Sequence, residues 1–187
     1  MLSEIEKNTL VDRGVKVCHC PFSNCAKATP ETPSPRSRGV VEGLGSDGAA
    51  HGGLSIWAEM RLFRSIMNVE HGVPIADPAV MPADAIVNMA TENGYAFMGR
   101  ADAGRIEEGA VADLVTVDVS NAGMFPTGNL VNTLVECASA SDVRDMVVDG
   151  KLVMRDRQVL TLNEDAVLAE ADAYQAMLDE ARATQNA

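Results

Sequence analysis

Two short apolar segments, each running straight into a polar loop, constrain this chain most. Residues 15–18 lead into His19-Cys-Pro-Phe-Ser-Asn24, and residues 40–44 lead into Gly45-Ser-Asp-Gly48. Apolar runs rich in valine and closed by Pro, Gly or Asn read as short buried strands. An acid between glycines at the C-terminal end of such a strand stands where α/β folds place their chemistry. Glu42 interrupts the second strand. A carboxylate in a strand buried on both faces is costly unless paired, and nothing in the pattern accounts for it.

The segments around these strands read as helices. Ser3 and Glu6 form a capping box for a helix that ends near Gly14. Residues 25–38 carry Pro30, Pro33 and Pro35 and are predicted to be a loop. Ile56, Met60, Phe63 and Met67 recur at three- and four-residue steps, which predicts a helix over 56–69. Pro82 opens another, running to about 93–94, and a short helix through Tyr95 and Met98 ends at Gly99. Beyond residue 100 the pattern changes. Residues 112–118 read as a strand and 130–137 as a helix. Residues 143–148 and 151–155 read as a hairpin turned by Asp149-Gly150. Asn163 caps a last helix, with Val167, Ala171, Tyr174 and Leu178 as its expected buried stripe.

Composition narrows the function classes. The chain has 187 residues, 47% hydrophobic and 22% charged, enough for one ordinary domain or two small ones. A net charge of −12 disfavours nucleic acid and anionic membrane surfaces as partners. No apolar run reaches the length of a membrane span, and the polar, acidic N-terminus does not read as a signal peptide. With four cysteines and no export signal, the expected location is a reduced cytoplasm.

Asp47 is the strongest candidate for chemistry. Gly45 and Gly48 allow close approach of a ligand or metal, and a carboxylate there can ligate a metal and accept a proton from bound water. A turn aspartate bonding its own backbone is the competing reading. His19 is either a ligand or a structural histidine, and His51 and His71 read as surface or capping residues. Cys18-x-Cys20-x4-Cys25 departs from the usual C-x2-C zinc spacing. On a strand, Cys18 and Cys20 share one face and His19 the other. There is no H-x-H, no H-E-x-x-H, no phosphate loop and no nucleophile elbow.

Taken in order, His19-Cys-Pro-Phe-Ser-Asn24, Leu44-Gly-Ser-Asp-Gly48, Trp57-Ala-Glu-Met-Arg61, Met89-Ala-Thr-Glu-Asn-Gly94 and Met98-Gly99 resemble the amidohydrolase superfamily. The branch they resemble is that of the chlorohydrolases and aminohydrolases, which includes deaminases of S-adenosylhomocysteine, guanine and triazines. The segment from Gly104 to Val115 is similar to the family's return into its small β-domain, and Val147-Val-Asp-Gly-Lys-Leu-Val153 to its closing hairpin.

That resemblance implies a zinc- or iron-dependent hydrolase on a TIM barrel, whose metal-activated water attacks an electron-poor carbon and expels ammonia, chloride or an amine. It assigns Asp47 the catalytic and metal-binding role, and His19, Ser23 and Asn24 the substrate pocket, with Pro21 shaping the loop. The family's H-x-H, its later site histidines and its H-x-x-E segment are absent from these residues. A (β/α)8 barrel takes about 250 residues by itself.

The expected architecture is therefore an α/β C-terminal remnant of a TIM (β/α)8 barrel. Residues 1–103 would hold its last two βα units, 104–163 part of a small composite β-domain, and 164–187 a terminal helix. The expected partners are a small-molecule substrate and either further copies of the chain or a complementary chain carrying the other barrel strands. The chain alone is expected to hold no metal tightly and to be inactive. The rival reading is a non-catalytic remnant or docking subunit.

Overall fold

The computed structural model describes residues 2–25, 27–29, 31–49 and 53–185. His51 and Pro30, both weighed above, lie outside the described residues. Helix α1 (Glu4–Asp12) begins with the capping box of Ser3 and Glu6 and ends before Gly14, whose φ of 60° is the left-handed conformation that closes a helix. Strand β1 (Val17–His19) follows, then a one-turn helix α2 (Pro21–Asn24).

Residues 25–38 are not wholly a loop: Pro33–Ser37 form a short helix α3. Pro33 and Pro35 lie in its first turn, where the missing N–H groups would have had no intrahelical acceptor. Strand β2 (Glu42–Leu44) pairs parallel with β1, aligning Val17 with Glu42 and His19 with Leu44. Both strands begin two residues later than the apolar runs that announced them; β1 ends one residue further on, at His19, and β2 ends at Leu44 as expected.

Helix α4 (Ile56–Met67) continues into a π turn at Asn68–Gly72 that carries His71. Helix α5 (Ala83–Ala90) stops earlier than its sequence pattern suggested. Thr91 leaves the helical region and returns its hydroxyl to the Val87 carbonyl, and α6 (Glu92–Phe97) restarts beyond it. The fully buried side chains gather where α4, α5 and α7 (Leu130–Cys137) meet: Phe63, Met67, Met81, Ile86, Met89 and Val135. Three of these six are methionines, flexible side chains that fill an irregular core.

The second sheet is antiparallel, in the order β3 (Leu114–Val117), β4 (Val143–Val148), β5 (Lys151–Arg155), β6 (Gln158–Val159). Asp149 and Gly150 turn the β4–β5 hairpin with φ of 48° and 74°, as the Asp-Gly pair predicted. Apart from Val143, the strand side chains are half-buried or exposed. With so few of its side chains buried among the described residues, this single sheet layer does not close a core of its own.

Asn163 accepts a hydrogen bond from Ala166 N at the start of α8 (Glu164–Gln185). The expected stripe of Val167, Tyr174 and Leu178 is more than half exposed, and α8 has no buried residue. Its apolar face is real in sequence, but within the described residues it has nothing to pack on. No described helix is long and apolar enough to cross a membrane.

Candidate active site

The turn after β1 and the loop after β2 meet at the C-terminal end of the parallel strand pair. Cys20 precedes α2, and its N–H donates to Asn24 Oδ1 at 2.9 Å, so Asn24 closes the turn. Pro21 then sets the first helical φ at no cost in hydrogen bonds. This turn aims Ser23 across at the neighbouring loop. Ser23 is fully buried, and its Oγ donates to Asp47 Oδ2 at 2.6 Å. Asp47 itself is exposed at the loop surface and has a φ of 54°, a left-handed conformation that aspartate adopts more readily than most residues.

Phe22 N donates to Glu59 Oε2 at 3.0 Å, which anchors the same turn to α4. Glu59 is almost fully buried, and burial pushes its carboxyl above the usual range, an effect the Phe22 N–H partly opposes. Sequence reasoning passed over Glu59 as a positioning residue. The available signal was its place on the apolar stripe of α4, three residues after Ile56 and four before Phe63.

His19 lies on the other side of β1 from Cys18, in the layer between strands and helices. Its Nε2 pairs with Thr32 Oγ1 at 2.8 Å, and its ring stacks on Phe63 at a centroid distance of 5.5 Å. Glu42 Oε1 stands 3.9 Å from the same nitrogen. Glu42 is only 2% exposed, and its other oxygen, Oε2, has no hydrogen-bond partner among the described residues. Desolvation raises the Glu42 pKa, offset in part by His19 and Arg36. The two residues line an open groove of about 320 Å³ together with Asn24, Glu31 and apolar side chains of α1 and α3. Of the four candidate residues, Ser23 and Asp47 are thus joined directly, Asn24 shapes the turn between them, and His19 makes its contacts in the helix-facing layer.

Among the described residues no three His, Cys, Asp or Glu side chains come together as a metal-binding group. A catalytic zinc site takes three protein ligands and an open position. These residues by themselves therefore do not form one, and Asp47 offers a single carboxylate.

Several known proteins are similar to this chain. The model of the Amidohydrolase family matches residues 1–153. A 5-methylthioadenosine/S-adenosylhomocysteine deaminase of Dictyoglomus thermophilum is 39% identical over 170 residues, covering 89% of this chain and 39% of that protein. One of the same description from Haloarcula marismortui is 39% identical over 183 residues, covering 96% and 41%. Among solved structures, an adenosine deaminase of Xanthomonas campestris with bound zinc superposes with a TM-score of 0.87 at 28% identity, over 96% of this chain and 41% of that one. An atrazine chlorohydrolase of Arthrobacter aurescens complexed with zinc shares the fold at a TM-score of 0.81 and 20% identity, over 92% and 38%. The chain thus spans about two-fifths of the length of these relatives. With the family model covering residues 1–153 and the ordered motifs falling on the strand ends and helices described, the chain belongs to the amidohydrolase family.

Proposed function

We propose that this chain is the C-terminal part of a metal-dependent amidohydrolase that cleaves a C–N or C–Cl bond of a small heterocyclic substrate, of deaminase or chlorohydrolase type. The observation that carries the reading is the Ser23–Asp47 hydrogen bond at the C-terminal end of two adjacent parallel strands, the end at which barrel enzymes hold their reactive groups. In this reading β1 and β2 are the last two strands of a barrel, within a unit over residues 1–103. Residues 104–163 belong to a small β-domain, and 164–187 form a terminal helix.

In this reading Asp47 is the catalytic carboxylate and would hold a metal, zinc or iron, together with residues outside these 187. Ser23 fixes the direction of that carboxylate. Asn24 shapes the pocket wall through the Cys20 turn, and His19 supports the same wall from behind through Thr32 and Phe63. When bound, the metal supplies an activated water.

A second reading is a non-catalytic module that docks on a separate chain. The exposed apolar face of α8 and the single pairing of β1 and β2 favour it.

The two readings separate on complementation. The chain is mixed with the N-terminal three-fifths of the Dictyoglomus relative, and ammonia release from adenosine-like substrates is followed in the presence of zinc. The enzymatic reading expects turnover in the mixture that vanishes with Asp47→Asn. A stable complex without turnover supports the docking reading and overturns the enzymatic one.

A further inference from the structure

Helix α2 is one turn long and has no cap of its own. Its N-cap residue, Cys20, makes no side-chain hydrogen bond to the turn, Pro21 has no N–H, and Asn24 N already bonds the Cys20 carbonyl at 2.8 Å. A single turn whose first N–H groups are unmet does not hold its shape unaided. Phe22 N is met from another helix, by Glu59 Oε2 at 3.0 Å, 37 residues further along the chain. Glu59 is 1% exposed and lies on the buried face of α4 with Met60 and Phe63. A carboxyl in that place costs free energy that an apolar side chain would not. Among the described residues it accepts one hydrogen bond, and that bond comes from the turn. Phe63, one helical turn on, carries the ring stacked on His19. α4 thus grips the residues at the end of β1 at two points.

We infer that Glu59 is a positioning residue for the candidate site: it caps α2 from α4, and so holds Ser23 where its hydroxyl meets Asp47. Ser23 directly follows Phe22, so a single residue separates the Glu59 bond from the Ser23 side chain. The Ser23 Oγ–Asp47 Oδ2 contact is 2.6 Å, and hydrogen bonds of this kind extend to only about 3.0 Å. A small rotation of the uncapped turn therefore breaks it. The cap needs an acceptor and not a charge, since the side-chain oxygen of glutamine can take the same N–H. Glu59 and Ser23 are both enclosed within these 187 residues, so the relation does not rest on an open surface. That Asp47 is the reactive carboxylate rests on the hydrolase reading; the dependence of the Ser23–Asp47 contact on Glu59 does not.

The test measures a Ser23→Ala/Asp47→Ala cycle by urea denaturation of the whole chain in three backgrounds: wild type, Glu59→Gln and Glu59→Ala. Non-additivity of the two substitutions reports their contact. It should persist in Glu59→Gln and disappear in Glu59→Ala. A residue that merely stabilises α4 would lower the stability of every member of the cycle and leave the non-additivity intact. Persistence in Glu59→Ala overturns the inference, and so does loss in Glu59→Gln. The wild type supplies a measurement that needs no variant to fold. Its Phe22 amide proton should shift with pH at the same midpoint as the Glu59 carboxyl carbon, above the ordinary carboxylate range because burial raises that pKa. A Phe22 amide indifferent to pH overturns the inference. In the complemented mixture, Glu59→Ala should lower kcat by about tenfold with KM little changed, and Glu59→Gln should restore most of it. An unchanged kcat in Glu59→Ala overturns the inference. A wild-type mixture without turnover counts against the hydrolase reading alone, and the cycle and the amide shift then decide the role of Glu59.

Discussion

Ser23 and Asp47 are joined by a 2.6 Å hydrogen bond that ties the turn after β1 to the loop after β2. Ser23 is wholly buried, so the hydroxyl has given up water to make this contact. Hydrogen bonds to charged acceptors are shorter and stronger than neutral ones. Ser23→Ala should lower stability by about 1–2 kcal/mol. Asp47→Ala in the Ser23→Ala background should cost less than it does alone, because the interaction is already gone. Urea denaturation of the four proteins checks this. Strict additivity would mean that the contact has no energetic weight.

Glu42 gives a pH signature. Desolvation raises its folded-state pKa above the ordinary 4.5, and a raised carboxylate pKa favours the folded state at acid pH. That stabilisation is fully present below about 4.5 and is lost as pH rises through the folded value. Glu42→Gln cannot ionise. The variant should match the wild type near pH 4 and become progressively the more stable of the two towards pH 8. Thermal melts of both proteins across that range measure the gap. A gap that stays constant with pH would show that Glu42 does not titrate as a buried acid. The comparison must be made as a difference, since Asp118, Asp142 and Asp145, all with lowered pKa values, weaken the fold of both proteins in acid.

How far these groups could be read in advance follows from the range of the forces involved. Capping residues act within one turn, so Ser3, Glu6, Gly14, Asn163 and the Asp149-Gly150 turn were legible from sequence. The 3.6-residue period exposed the buried face of α4. Glu42 was visible only as an anomaly, because its neighbour His19 is brought to it by the parallel pairing of β1 with β2. The pairing of Ser23 with Asp47 spans 24 residues and depends on the register of β1 against β2, which no local pattern encodes. The stripe on α8 is apolar, as its periodicity predicts, yet exposed, since periodicity identifies a face and not what covers it.

Gly43 presses on Phe97. A Cβ at Gly43 would lie 2.8 Å from Phe97 Cε2 and 3.5 Å from the Met89 carbonyl oxygen. Gly43→Ala should therefore destabilise by about 1–3 kcal/mol, the usual cost of overpacking. Phe97→Ala removes the obstructing ring, so the same alanine should cost markedly less in that background. Calorimetric melts of the two single variants and the double variant decide it. An undiminished cost in the double variant would place the strain in the backbone rather than at the ring.

Zinc should not stay with the isolated chain. Asp47 is one ligand where three are required, and among the described residues no cluster supplies the others. Extensive dialysis followed by elemental analysis should find far less than one zinc per chain, and no deamination of adenosine-like substrates or dechlorination of triazines should be measurable. A full equivalent of zinc that disappears with Asp47→Ala would mean that a second copy completes the site.

The last prediction concerns association and the distribution of stability. β1 and β2 pair only with each other among the described residues, so each leaves one edge open. Open edges and contiguous apolar surface both promote association. The apolar surface is present on α8, where Val167, Leu168, Tyr174, Met177 and Leu178 are each more than half exposed. The isolated chain should therefore self-associate in a concentration-dependent way, and replacing Leu168 and Tyr174 together by glutamate should shift it towards the monomer in light scattering. The slowest-exchanging amides should lie in α4 and α5, which carry Phe63, Met67, Ile86 and Met89 at the centre of the core. The sheet of β3 to β6 should exchange sooner despite its regular hydrogen bonding, because its side chains are half-buried at most apart from Val143. Hydrogen exchange with the sheet protected best would show that another copy of the chain lies across it.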